Sequence, residues 1–197
     1  MKTLARASML ACVLSLGGCA LTSKGTPLDI RYFSPERVDA SRIARQAQAP
    51  AGHLRLGQLT SSANLRQRIV HRESPVELGE YEALRWTENP EDYVRRSLSR
   101  SLFDDGSLEE VVGGAAPTLD VEVVLFEEAR RENRHLGRIR LGYQVHDDRA
   151  VLASGVVTVE RDVTGDGIEP VVSAIGSAMD AATSELARNV VTQLRGR

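Results

Sequence analysis

Four histidines, His53, His71, His135 and His146, are the residues of this sequence best suited to metal binding or acid–base chemistry. None stands in an H-x-x-x-H or H-E-x-x-H arrangement, so zinc finds no local pair of ligands, and the spacing predicts surface or half-buried histidines. Carboxylates come next. Asp147-Asp148 and Asp162…Asp166 invite a calcium reading, but Asp162-Val163-Thr164-Gly165-Asp166-Gly167 supplies few oxygen ligands and lacks the distal bidentate glutamate of an EF-hand loop, so both read as turns. Gly113-Gly114 leads into Ala115-Ala116-Pro117 and not into a helix, which leaves no phosphate cradle. No G-x-S-x-G elbow is present. Arg130-Arg131-Glu132-Asn133-Arg134 reads as a charged hairpin connection, a solvated loop being favoured over a lipid-headgroup contact. The pattern therefore predicts no catalytic residues, no metal site and no bound cofactor.

The two cysteines, Cys12 and Cys19, carry more information. Lys2 and Arg6 form a positive n-region, Ala7 to Leu16 is a short apolar run, and small residues precede Cys19. This is the architecture of a secretory signal, and the apolar run is too short to span a hydrocarbon core. Leu16-Gly17-Gly18-Cys19 resembles the lipobox of bacterial lipoproteins, which implies a signal peptide over 1–18 and a covalent lipid on Cys19. Burying acyl chain is worth about 0.8 kcal/mol per CH₂, and stable anchoring needs more than one chain. The diacylglycerol and N-acyl group that a lipobox implies meet that condition. Ala20, in place of an aspartate, points to the periplasmic face of the outer membrane. With Cys12 removed and the Cys19 sulfur taken by lipid, no thiol remains for catalysis or for a disulfide.

Composition narrows the choice further. A chain of 197 residues suits one globular domain, and a formal net charge of −2 gives no footprint for nucleic acid. Loss of Lys2 and Arg6 leaves 23 Lys and Arg against 27 Asp and Glu, a net −4. Aromatic residues are 4% of the chain, too few for base-stacking platforms.

Hydrophobic periodicity supplies the elements. Residues 19–27 read as lipidated cysteine and tether, the eight residues Ala20 to Pro27 reaching about 25 Å when extended. Strands are expected over Leu28–Phe33, His53–Leu59 with Leu54 and Leu56 on one face, Leu65–His71, and Tyr81–Trp86, with Ser34–Ala51 a surface connection. Asn89-Pro90-Glu91-Asp92 opens a helix by N-cap, Pro at the first position and acids in the first turn; Val94, Leu98 and Leu102 form its stripe, and Asp105-Gly106 ends it. Leu108–Val112 suits an edge strand. Three runs, Thr118–Glu128, Leu136–His146 and Val151–Arg161, read as a meander. Leu119, Val121, Val123 and Leu125 face inward on the first, and Ile139, Leu141, Tyr143 and Val145 on the second. Acidic Asp120 and Glu122 are expected to pair across the sheet with Arg138 and Arg140. A long helix over Glu169–Leu194 closes the chain, its stripe running Val172, Ile175, Met179, Ala182, Leu186, Val190, Leu194.

Lipobox Cys19, the extended segment around Tyr32-Phe33, Tyr81 with Arg85-Trp86 before Asn89-Pro90 and a helix, Phe126-Glu127 in the meander, and the C-terminal amphipathic helix together resemble the ABC-type transport auxiliary lipoprotein family. That resemblance implies a single domain over 28–197. Its fold would be α/β: a mixed, largely antiparallel-meander sheet with two main helices packed on it, similar to the amino-terminal domain of TolB. It implies a non-enzymatic role beside an MCE-domain protein and an ABC transporter or permease-like component, moving phospholipid between the membranes. A homo-oligomer is compatible with it. The alternative is an assembly or pilot lipoprotein, of the secretin or lipopolysaccharide-translocon type.

Overall fold

The computed structural model describes residues 27–36, 50, 52–104, 108–131 and 134–195. Within them the strands are β1 (Arg31–Phe33), β2 (Gly52–Ser61), β3 (Arg68–Arg72), β4 (Leu78–Trp86), β5 (Leu108–Glu110), β6 (Thr118–Arg131), β7 (Arg134–His146) and β8 (Val151–Asp162). Helix α1 (Pro90–Ser99) continues into a π-helical turn (Arg100–Asp104), and α2 (Ile168–Arg195) closes the chain. The expected signal peptide, Cys19 and most of the Ser34–Ala51 connection lie outside the described residues.

The expected meander is the spine of the sheet: β6, β7 and β8 pair antiparallel in sequence order, because short turns join long alternating runs. The other edge of β6 is shared. β2 runs parallel to its first half, beside Thr118–Val123, and β3 runs parallel to its second half, beside Glu127–Ala129. β4 then pairs antiparallel with β3, while β1 and β5 add to β4 and β2 as short parallel edges. The sheet is mixed as expected, its long pairings antiparallel and its short ones mostly parallel.

Register departs from the sequence reading at one place. A bulge between Val123 and Leu125 inserts one residue into β6, and every side chain beyond it changes face. Phe126 takes the inward position opposite Ile139, and Leu125, expected inside, turns to the opposite face beside Arg140. Register also sets the charge pairs on both sides of the bulge. Asp120 and Glu122 stand opposite Gln144 and Gly142, so their expected pairing with Arg138 and Arg140 does not form; Glu127 is the residue opposite Arg138.

Both helices cover one face. In α1, Pro90 stands in the first turn with Glu91 and Asp92, where acids complement the helix dipole. Asn89 has the extended backbone of an N-cap, yet its side chain makes no capping bond; its carbonyl instead accepts from Asp92 N at 3.0 Å. Beneath α1, Trp86, Tyr93 and Phe126 are fully or almost fully buried; Trp86 meets Phe126 edge-on at 5.4 Å and Tyr93 at 6.4 Å. Tyr93 keeps its hydroxyl satisfied at the strand–helix turn through Thr87 Oγ1, 2.6 Å away, and Glu88 N, 3.0 Å away. The α2 stripe from Val172 to Val190 is buried as its spacing predicts. Close approach needs small residues: a Cβ at Gly137 would lie 2.5 Å from the backbone nitrogen of Ile175, so only glycine lets α2 rest on β7 there.

Candidate functional site

Two adjacent glutamates near the end of β6, Glu127 and Glu128, are both 0% exposed. Successive strand residues point to opposite faces, so they anchor two different polar clusters. Glu128 shares its register position with Gly137, whose Cα faces α2; Glu128 therefore lies on the helix-covered face, and Glu127 on the uncovered one.

On the helix-covered side, Glu128 accepts from Arg130 Nε at 2.7 Å and from the Tyr81 hydroxyl at 2.6 Å, and also contacts His135 Nε2. Arg130 reaches on to the Tyr81 oxygen and to Glu73, each at 2.6 Å. His71 Nδ1 lies 2.8 Å from Glu73 without hydrogen-bond alignment, and its ring meets Tyr81 edge-on at 5.1 Å. Burial by itself would raise the Glu128 carboxyl, but the bonds from Arg130, Tyr81 and His135 outweigh it and hold the group below its ordinary value. Burial, then the bond and charge of Glu128, push the Tyr81 hydroxyl up to about 12. Its partner carboxylate holds the Arg130 guanidinium firmly charged. A glutamate this well satisfied by donors is a structural anchor, not a poised base.

On the uncovered side, Glu127 is clamped by two arginines. Arg72 donates from Nε at 2.9 Å and from Nη2 at 3.1 Å, one bond to each carboxylate oxygen. Arg138 donates to Glu127 Oε1 from Nε at 3.0 Å and also from Nη2. Beside them lies a groove of about 560 Å³ between the Glu73–Pro75 turn and the β6–β7 hairpin. Arg72, Arg130, Arg131, Arg138 and Arg140 line it, with Leu125, Ala129 and Pro75 supplying apolar wall. Arg131 is tied to Glu160 at 2.9 Å. Among the described residues no carboxylate pairs with Arg140. The far end of the same face has the opposite sign: a shallower groove of about 470 Å³ includes Asp120 and Glu122.

Of the residues singled out in the sequence, His71 and His135 meet in the Glu128 cluster through Glu73 and Arg130, and the others lie apart from it. His53 pairs with Glu109 at 3.3 Å, and His146 with Asp120 at 3.1 Å. Asp147 Oδ1 accepts from the backbone nitrogens of Arg149 and Ala150, both at 2.8 Å, which closes its turn. Asp162 pairs with Arg134, Gly165 and Gly167 adopt positive φ in the turn that follows, and Gly114 O accepts from Arg55 at 2.7 Å. No group of three metal-ligating side chains is found among the described residues, and no helix there is long and apolar enough to cross a membrane. Arg130, read as part of a solvated connection, belongs instead to β6 and the Glu128 cluster. The groove itself was missed. Its one sequence signal is the pair of glutamates in Phe126-Glu127-Glu128-Ala129, polar residues on both faces of a strand otherwise patterned for one.

Comparison with known proteins identifies the fold and the family. A family model described as the ABC-type transport auxiliary lipoprotein component matches residues 38–187. A crystal structure of a Xanthomonas campestris protein of the DUF330 family superposes with a TM-score of 0.72 at 21% identity, covering 84% of this chain and 98% of that one. An uncharacterized protein of known structure superposes at 0.61 and 15% identity, covering 81% and 97%. A minor lipoprotein from Acinetobacter baumannii matches at 0.43 and 14% identity, covering 73% and 92%. No curated protein matches the chain.

Proposed function

This chain belongs to the ABC-type transport auxiliary lipoprotein family, and we propose that it is a non-enzymatic part of an envelope system that moves phospholipid between the inner and outer membranes. The observation that carries this reading is the extent of the family match, residues 38–187, which takes in the whole sheet from β2 onward and most of α2. In this reading residues 1–18 are a signal peptide, and Cys19 carries the lipid that holds the chain to the periplasmic face of the outer membrane. A single domain over 28–197 then hangs on a tether of about 25 Å. The described segment nearest the anchor in sequence leads into β1, and along it Leu28, Ile30 and Tyr32 expose apolar surface.

The chemistry of the chain agrees with a docking role. Its buried Glu127 and Glu128 are saturated with donors, and each of its histidines stands beside a carboxylate, His71 and His135 within the Glu128 cluster and His53 and His146 apart from it. Partners are accordingly proposed to be an MCE-domain protein and an ABC transporter or permease-like component, with a homo-oligomer of this chain compatible with docking to them. The test is mild crosslinking of the full-length lipoprotein in native membranes. An MCE-domain protein is expected to co-purify, and its repeated absence would overturn the transport reading. Cys19→Ala is expected to leave uncleaved precursor, and normal maturation of that variant would remove the anchor.

A further inference from the structure

We propose that the arginine groove on the uncovered face of the sheet binds a phosphate group, and that its occupant is the phosphodiester of a lipid headgroup. Glu127 is fully buried. A fully buried carboxylate needs compensation, and here it takes donor bonds from Arg72 and Arg138, whose side chains are only 21% and 15% exposed. Those two guanidinium groups are thereby fixed in place before any ligand arrives, which lowers the ordering cost of binding. Glu160 also stands 3.9 Å from Arg138 and 2.9 Å from Arg131, and Glu73 and Glu128 hold Arg130, so with Glu127 four carboxylates offset four of the five lining arginines. Arg140, which no carboxylate among the described residues pairs with, supplies the surplus positive charge at the groove. This surplus stands on a chain whose net charge is −2.

A guanidinium fork suits a phosphate because it offers parallel N–H donors to two oxygens. The forks of Arg72 and Arg138 are taken by Glu127 and contribute charge, while that of Arg140 is held by no carboxylate among the described residues. The groove is concave and has the size of a small-ligand site, so a headgroup fits it better than an extended chain does. Leu125, Ala129 and Pro75 give it an apolar wall beside the charges, which suits an amphiphile more than a free ion. Leu125 stands there because the β6 bulge turned it outward. Among the described residues neither helix covers this face. The inference deepens the transport reading and rests on it for the choice of lipid over free phosphate; the phosphate chemistry stands on the groove alone.

The test is calorimetric titration of the full-length lipoprotein, held in an uncharged detergent, with glycerophosphoglycerol, inorganic phosphate and glycerol. Glycerophosphoglycerol is expected to bind and glycerol is not, with affinity falling as salt rises. Arg140→Gln, at an exposed side chain with no carboxylate partner among the described residues, is expected to weaken binding about tenfold or more. Glu122→Gln, at the acidic end of the same face, is expected to leave it unchanged. Tighter binding of the diester than of inorganic phosphate supports a lipid source. Inorganic phosphate binding equally well or better keeps the phosphate site and overturns the lipid source. No binding by either, or equal binding by a glutamate-rich peptide, overturns the site. Loss of phosphate binding with MCE crosslinks intact removes the groove and leaves the transport reading; binding without crosslinks does the reverse.

Discussion

The two faces of the sheet solve different problems with the same strands. Under α1 and α2 the inward positions are Trp86, Phe126, Ile139, Leu141 and Val145, all fully buried, and stability there comes from apolar area removed from water. Neither described helix packs on the opposite face, where apolar residues such as Leu125, Ala129 and Val156 stand among polar and charged ones, basic at the β6–β7 hairpin end and acidic at the other. Glu127 and Glu128 put the contrast into neighbouring residues. Glu128 is tied into a closed cluster with Tyr81, Arg130 and His135, whereas Glu127 fixes arginines that border an open groove. The difference teaches that a buried charge on the covered face serves architecture, while the same residue type on the bare face prepares a surface.

The largest expected effect of breaking this contrast lies at Trp86. Trp86→Ala removes the side chain at the centre of the aromatic cluster beneath α1 and leaves a cavity its neighbours fill only in part. Such truncations cost about 3–5 kcal/mol, a large share of a domain's stability. Urea denaturation of the purified protein is expected to show a midpoint shift of that size with a similar slope. A change below 1 kcal/mol would mean the covered face is not where the fold's stability resides.

A finer comparison uses two glycines on one strand. Gly137 and Gly142 both lie in β7 but on opposite faces, so Ala at either removes the same excess freedom from the unfolded chain. At Gly137 the new methyl would sit 2.5 Å from the Ile175 backbone nitrogen, and α2 must lift. Gly137→Ala is expected to destabilise by about 1–3 kcal/mol through overpacking. At Gly142 the nearest atom is Val124 Cγ2 at 3.9 Å, ordinary contact, and Gly142→Ala is expected to be neutral or slightly stabilising. Thermal unfolding of the pair decides it: equal shifts would show that backbone freedom, not the approach of α2, sets the requirement at 137.

These residues also show how much the sequence makes legible. The strongly periodic segments are readable, because alternation in β6 to β8 and the three-four spacing of α2 each report a single buried face. Trp86 and the Asn89-Pro90 helix start are readable for the same reason. What is hidden depends on pairing between distant segments. The bulge at Val123–Leu125 leaves no signature in a run of Val, Leu and Phe, since each of these residues suits the interior, and the inward and outward sets beyond it exchange without warning. The arginine groove needs β3 to return alongside β6 more than fifty residues earlier in the chain, bringing Arg72 to Glu127. No local pattern encodes that juxtaposition. The motif Tyr81 with Arg85-Trp86 is legible as a motif, yet its roles divide: Trp86 fills the core, Tyr81 serves Glu128, and Arg85 donates to the backbone oxygens of Tyr81 and Leu84.

The smallest expected effect sharpens the claim that the Glu128 cluster is structural. Tyr81→Phe removes one donor to Glu128 while Arg130 and His135 remain, so the cost near neutral pH is expected to be about 1 kcal/mol. Its pH dependence identifies the cause. The folded chain holds the Tyr81 proton up to about 12, above the ordinary value near 10, so between those limits the unfolded chain sheds the proton first and folding stability falls as pH rises. The contribution is therefore whole below pH 10 and lost on the way to 12, and Tyr81→Phe is expected to lack that decline. Glu128 works in the opposite direction: its lowered folded value makes a contribution that is present above about pH 4.5 and lost as pH falls through the folded value. Ultraviolet titration of the phenolates, comparing the protein with Tyr81→Phe, checks the first limb directly. A Tyr81 transition near 10 would show that Glu128 and its burial do not hold the hydroxyl, and the covered face would then lose its claim to a closed cluster distinct from the open one around Glu127.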